Sequence, residues 1–337
     1  MSTGYPGSNS VFVPSYEASG KLMVDYSRNV KDFPVNQYTS IIKVERNAGY
    51  YLRHTPDEAA RALGTSGDEF IWADGSAGRW NTVNKEFEFV PYATRRYAYD
   101  FTLGDLTTKQ AAWEIVSNYA ATSAALAMTQ RTRKVLAALT DTGVMPTATA
   151  TAQGGGKWDV GTTSNPYIKL GLMKTLQAIN KATNGVVKTT DLALIINPYV
   201  AAKMAASAEI SDYLKSSPFS MDVVRNNLSL WGLPDYLYGI KVVIEDCVAV
   251  TSKRGLARVD QYALDSTSAI IAARPGALET TQGTFSTCAT FMYEEMTVES
   301  YRDELNRRTV GRVVEDFSAN IVSPISGFYL TAVCAAP

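Results

Sequence analysis

The chain has 337 residues, 46% of them apolar, enough to bury one large core or two smaller ones. Lys and Arg total 32 against 33 Asp and Glu, so the net charge of -1 excludes a global field that would draw the protein onto nucleic acid or anionic lipid. No apolar run approaches the ~18 residues of a membrane span, the N-terminus lacks a secretory pattern, and the scattered Cys247, Cys288 and Cys334 predict reduced thiols.

In chain order, residues 1–46 are punctuated by Gly4, Pro6, Gly7, Pro14, Gly20 and Pro34 and read as an extended arm rather than a packed unit, Tyr16, Tyr26, Phe33 and Tyr38 being many aromatics for a disordered tail. Residues 47–104 predict a helical piece from Thr55 to Leu63 and then turns at Asp74-Gly75 and Ala77-Gly78. Phe87, Phe89, Tyr97, Tyr99 and Phe101 follow at the period of two that marks a strand, so this segment predicts a long hairpin with charges on one face. Thr107–Gln110 fits a capping box that opens a helix of residues 107–141, uninterrupted by glycine or proline, which predicts a spine lying across a sheet. Its length is about 50 Å at the helical rise.

Residues 143–165 read as a Thr/Ala/Gly loop. A helix from Pro166 to about Thr183 is stopped by Asn184-Gly185. Strands at Leu192–Ile196 and Ile240–Ile244 alternate with helices at Tyr199–Ser207, Ser211–Ser216 and Met221–Trp231, which predicts a mixed lobe over 186–275. Two charged strands, Phe291–Tyr301 and Val310–Phe317, meet at a turn at Asn306-Arg307-Arg308, and Ala319–Val322 with Phe328–Leu330 predict closing edge strands.

The chemistry-bearing vocabulary is sparse. His54 is the single histidine and reads as a packing or surface residue; with three dispersed cysteines it makes no recognisable metal set, and no cofactor is expected. Gly154-Gly155-Gly156-Lys157 lacks the phosphate-loop pattern because Trp158 follows the lysine, and reads as a flexible loop. Glu294-Glu295 and Asp303-Glu304 read as solvated or interface ion-pairing groups, since adjacent strand residues point to opposite faces. Arg131, Arg133 and Lys134 read as a solvated helix face. Arg95 and Arg96, in the charged hairpin, are expected to pair with acidic groups of a neighbouring subunit. The candidate inter-subunit contacts are Lys85, Arg95, Arg96, Glu294, Glu295, Arg307 and Arg308.

The order of parts is an arm, a charged hairpin, one long helix, a mixed lobe containing Ile240–Ile244 before Glu245-Asp246, and long strands from Phe291. It resembles the major capsid proteins of tailed phages, the Hong Kong 97-like fold, whose relatives include gene-transfer-agent capsids and encapsulin shells. The resemblance implies an α+β fold with an N-arm (1–46), an extended loop (47–104), a peripheral domain with the spine helix (105–185 and 276–337) and an axial domain (186–275). It also implies a non-enzymatic virion protein, assembled in the host cytoplasm into hexamers and pentamers around double-stranded DNA held without sequence specificity. Scaffolding, portal and decoration proteins are the implied partners. Some such capsids crosslink a loop lysine to a neighbour's asparagine, for which Lys85, Asn306 and Asn320 match in position only. An encapsulin-like compartment and an α/β hydrolase-type enzyme are the alternatives; a single histidine makes the enzyme hard to assemble.

Overall fold

The structure is a computed structural model that describes residues 28–54, 87–105, 115–183, 185–215, 231–250, 252, 256–257, 259–276, 279–280 and 283–337. In chain order the elements are β1 (Thr39–Lys43), β2 (Ala48–His54), β3 (Phe87–Ala93), β4 (Arg95–Gly104) and α1 (Ile115–Leu139). Then come β5 (Thr147–Thr149), α2 (Ala150–Gly154), α3 (Tyr167–Ala182), β6 (Leu192–Ile196), α4 (Pro198–Ala206), α5 (Ala208–Lys215), β7 (Tyr236–Leu237) and β8 (Ile240–Ile244). The remainder is β9 (Val248–Val250), β10 (Asp260–Tyr262), β11 (Ala269–Ala273), β12 (Glu279–Thr280), β13 (Gly283–Thr284), β14 (Cys288–Asp303), β15 (Arg308–Ile321) and β16 (Phe328–Thr331).

Two sheets carry the architecture. A six-stranded mixed sheet has the order β5-β16-β11-β6-β8-β7, and a four-stranded sheet the order β1-β14-β15-β4. β2 with β3, β9 with β10 and β12 with β13 make separate two-stranded ribbons.

The six-stranded sheet is centred on strands that are apolar at every position, as strands covered on both faces must be. Along β6, Leu192, Leu194 and Ile196 enter one core and Ala193 and Ile195 the other; along β11, Ala269, Ile271 and Ala273 oppose Ile270 and Ala272 in the same way. The first core is closed by α3, whose buried Ile168, Leu172, Leu176 and Ile179 repeat at helical spacing, and by α4. α4 starts where Asn197 accepts from the Val200 N–H at 2.8 Å and Pro198 occupies the first turn. The second core is closed by α1 through Met128, Val135, Leu136 and Leu139. The other end of α1 lies on β4, where Val116 and Ala120 pack on Phe101 and Leu103. The long helix therefore bridges the two sheets.

Several expectations are corrected. The arm is expected to run unpacked to residue 46, yet Phe33, Val35 and Tyr38 are buried in the second core and β1 pairs in parallel with β14. Residues 1–27 lie outside the described residues, as do the helix at 55–63, the capping box at 107–110, Trp113 and residues 221–230 of the third lobe helix. The spacing-two aromatic run is not one arm of one hairpin. It divides at Thr94, so β3 pairs antiparallel with β2 while β4 pairs with β15. The Thr/Ala/Gly loop is ordered: Thr149 caps α2, and Gly155, at φ 89°, ends it in the left-handed region that favours glycine. A Cβ on Gly154 would stand 2.5 Å from the Tyr167 carbonyl, so the glycines let α2 press on α3. β16 lies between β5 and β11 and is not an edge, whereas Ala319–Ile321, the end of β15, pairs with β14 alone among the described residues, as an edge stretch does.

Candidate assembly surfaces

The β2–β3 ribbon follows from antiparallel register, which places directly opposed residues on one face. Tyr50 opposes Pro91, Leu52 opposes Phe89, and Ala48 opposes Ala93. All six are exposed, with Tyr50 and Phe89 at 72% and 70%. The other face is anchored: Tyr51 and Tyr92 flank Phe291 with ring centroids at 5.1 and 5.0 Å, and the Tyr51 hydroxyl donates to the Ile321 carbonyl at 3.0 Å. The ribbon is thus held by one face and presents the other as a contiguous apolar surface to solvent. Large apolar patches of this kind mark interaction sites.

On the four-stranded sheet, Tyr97, Tyr99 and Phe101 of β4 share the face of α1, and Arg96, Ala98 and Asp100 take the opposite one. That opposite face carries paired charges. Arg312 donates to Asp100 from two nitrogens at 2.6 and 3.1 Å, which holds the Asp100 carboxyl below its ordinary range. Arg96 meets Glu294 at 2.7 Å. At the β1 edge of the sheet Lys43 meets Glu295 at 2.6 Å and lowers its pKa. At the β14–β15 tip, Arg308 meets Asp303, and Arg302 meets both Asp105 and Glu304. Exposed pairs like these contribute little to folding. They matter more for which surfaces accept one another.

Two polar joints lie deep. Arg131 of α1 donates to Glu315 of β15 at 2.5 Å, and both side chains are buried. Burial raises the Glu315 pKa against the pull of Arg131. The second joint ties the residues before β1 to the lobe. The Tyr38 hydroxyl donates to Glu245 at 2.6 Å, and the Cys247 N–H donates to the same carboxylate at 3.2 Å. Arg28 pairs with Asp246 at 2.6 Å and lies 4.9 Å over the Phe33 ring. Burial pushes Glu245 up to about 7 despite these donors.

No family model matches the sequence, and the curated proteins yield no match. Solved structures do match, over nearly the whole chain. A phage-related protein from Bordetella bronchiseptica RB50 superposes with a TM-score of 0.56 at 13% identity, over 96% of this chain and 98% of that one. The capsid of cyanophage P-SCSP1u gives 0.56 at 9% identity, over 94% and 91%. The mature capsid of bacteriophage PhiM1 gives 0.55 at 12% identity, over 92% and 89%. The chain has the phage capsid fold.

Within that capsid fold the expected contact residues fall into three groups. Lys85 lies outside the described residues. Arg96, Glu294, Glu295 and Arg308 each have a partner in their own chain, on the charged face, at the β1 edge and at the tip. Arg95 and Arg307 are exposed, and Arg307 turns the chain at φ 47°. Asn306, one of the positional crosslink matches, donates to Asp303 at 2.7 Å. Arg131 corrects the reading of a solvated helix face: its side chain is 8% exposed and inside the joint with Glu315. Its spacing from Met128 and Val135 places it on the apolar stripe, which is the signal that finds it. Nothing local marks Tyr38 and Glu245 as partners, since they stand 207 positions apart in the chain. The outward face of the ribbon is legible only once the pairing of β2 with β3 is known. Among the described residues no group of His, Cys, Asp and Glu is placed to hold a metal, and no helix is long and apolar enough to cross a membrane.

Proposed function

We propose that this chain is a major capsid protein that self-assembles into hexamers and pentamers of an icosahedral head, enclosing double-stranded DNA without sequence-specific contacts. The carrying observation is the outward apolar face of the β2–β3 ribbon, Ala48, Tyr50, Leu52, Phe89, Pro91 and Ala93, which the chain itself leaves in water. Exposing such a face costs free energy that contact with another subunit recovers. The phage capsid fold supplies the context in which that other subunit is a second copy. The fold's segments are then read as an N-arm before Arg28, an extended loop based on β2 and β3, a peripheral domain built from α1 with β14 and β15, and an axial lobe around β6 and β8.

Closed shells need contacts that repeat around rotation axes, and many weak contacts acting together suffice. The near-neutral net charge of -1 lets like subunits pack without strong self-repulsion. Arg95, Arg307 and the paired charges of the four-stranded sheet would then set which neighbouring surfaces fit, with Lys85 contributing from the extended loop. Scaffolding, portal and decoration proteins complete the expected partners, with assembly in the host cytoplasm before incorporation in the virion.

Negative-stain microscopy of the purified protein tests the reading. Closed shells are expected from the native chain. The double variant Tyr50→Asp, Phe89→Asp should remain folded, with its stability changed by no more than about 0.5 kcal/mol, and should form no shells. Shells of normal size from that variant would overturn the role of the ribbon, and a permanently monomeric native chain would overturn the function. The particle's content, DNA or a protein cargo, separates a phage head from a compartment shell.

A further inference from the structure

Charge is spread unevenly along this chain of net charge -1. From Val160 to Thr190 there is no Asp or Glu, while Lys169, Lys174, Lys181 and Lys188 all fall in that stretch. α3 turns its buried Ile168, Leu172, Leu176 and Ile179 to the first core, and Lys169, Lys174, Gln177, Asn180 and Lys181 are exposed on its other side. Lys174 and Lys181 stand two turns apart, about 10 Å along the axis. At the end of the helix a cleft of ≈ 530 Å³ brings Lys188 and Thr189, from the segment before β6, beside Gln177, Asn180 and Lys181. Arg274 adds a further cation, donating to the Thr190 carbonyl at 3.2 and 3.0 Å. The acid that ends the stretch, Asp191, is engaged within the turn: its carboxylate accepts from the Lys188 N–H at 3.0 Å and from the Thr190 hydroxyl at 3.3 Å.

These lysines differ from the cations of the four-stranded sheet. There Lys43, Arg96, Arg302, Arg308 and Arg312 each meet a carboxylate of their own chain. Lys169, Lys174, Lys181 and Lys188 meet none among the described residues. Resting on the capsid reading above, we propose that this face of α3, with Lys188–Thr190, binds the phosphate backbone of the enclosed duplex DNA.

Lysine, carboxamide and hydroxyl side chains are the groups that hold phosphate oxygens, and here they share one surface. A protein partner fits that surface less well. The centres of protein interfaces are depleted of lysine and enriched in arginine and aromatic residues. Leu176, Val187 and Leu192, which floor the cleft, are already no more than 7% exposed, and between Lys169 and Lys188 only Leu170 and Val186 among the described residues are large, apolar and exposed. The net charge of -1 does not oppose the contact. A lysine field reaches about 8 Å at physiological salt, so a local cluster acts on DNA that confinement has already brought against it. Phosphate contacts of this kind carry no sequence information.

Two measurements test the assignment. Purified subunits titrated against a fluorescent duplex oligonucleotide, read by anisotropy across a salt series, should give a log–log slope of about -3 to -4, as four lysine–phosphate contacts require. The triple variant Lys174→Gln, Lys181→Gln, Lys188→Gln should lose about three from the magnitude of that slope, and Lys43→Gln, on the other sheet, should lose none. An unaltered slope in the triple variant overturns the proposal. So does a native subunit that leaves the duplex unbound at about 0.01 M salt, where fields reach about 30 Å. Tighter binding of poly-glutamate than of the duplex also overturns it and assigns the face to an acidic protein. In particles, lysine acetylation by acetic anhydride, read by mass spectrometry, should fall several-fold at Lys169, Lys174, Lys181 and Lys188 in DNA-filled shells relative to empty ones, with Lys43 alike in both. Equal labelling of the four lysines in filled and empty shells overturns this inference and leaves the capsid reading standing. Absence of shells, or shells holding a protein cargo, overturns the capsid reading and with it the assignment to enclosed DNA.

Discussion

The two sheets of this molecule are built from strands of the same chain and differ in what completes them. β6 and β11 are apolar at every position and sealed on both faces by the chain's own helices. β14 is buried from Cys288 to Met292 and exposed along most of its remainder, where its charges pair across the surface and its far edge is open among the described residues. The first sheet is the product of folding alone. The second, with the ribbon anchored on Phe291, leaves apolar area and backbone groups exposed among the described residues. If those surfaces serve assembly, as proposed above, stability and assembly are separable properties located in different strands.

The sharpest way to break that separation is at the joint between α1 and β15. Glu315→Ala leaves Arg131 buried without its partner, and should destabilise by about 3–5 kcal/mol in chemical denaturation. Replacing both residues by apolar ones of similar volume should restore most of the loss. Leu194→Ala in β6 should cost about 2–5 kcal/mol and lower the yield of folded subunit, while shells made from what folds remain normal in size. Gly311 sits opposite Phe101, and a Cβ there would meet the ring at 2.0 Å. Gly311→Ala should therefore cost about 1–3 kcal/mol by overpacking, read as a lowered denaturation midpoint.

A smaller effect is expected from pH. Glu245 titrates near 7 in the folded chain, above the ordinary carboxyl value, so folding takes up a proton. Its contribution is full below about pH 4.5 and is lost as pH rises through 7. Amide exchange of residues 28–38, corrected for the intrinsic pH dependence, should quicken between pH 6 and 8 in the native chain, a window that brackets about 7, and stay flat in Glu245→Gln. Identical profiles would show that the joint does not respond to that carboxyl. The smallest effect on folding is expected at the exposed pair of Arg312 with Asp100. Arg312→Ala should leave the unfolding midpoint unchanged and slow shell formation, followed by light scattering; the opposite pattern would place the pair among the folding contacts.

Much of the element order was readable from local pattern. The uninterrupted run around Leu126 and Met128, the all-apolar Leu192–Ile196 and the alternating stretch from Phe291 each declare their type because periodicity reflects which faces a single element buries. The same logic failed where partners decide. Phe87 through Phe101 looks like one strand, but Thr94 hands its halves to different neighbours. Arg131 looks solvated until Glu315 arrives from a strand far along the chain. Of the surface set, the charged positions were legible as charges, and their pairings were not.

By itself, then, the sequence determined the kinds of several main elements, the near-zero net charge and the poverty of catalytic groups, because these are sums or short-range periodicities of side-chain chemistry. Only the tertiary structure decided that Phe33, Val35 and Tyr38 belong to the core, that the ribbon turns six apolar residues outward, and that among the described residues nothing pairs with the outer edge of β14 past Met292. Those outcomes depend on strand pairing and on contacts between residues hundreds of positions apart, and a local pattern carries no record of the partner that covers it.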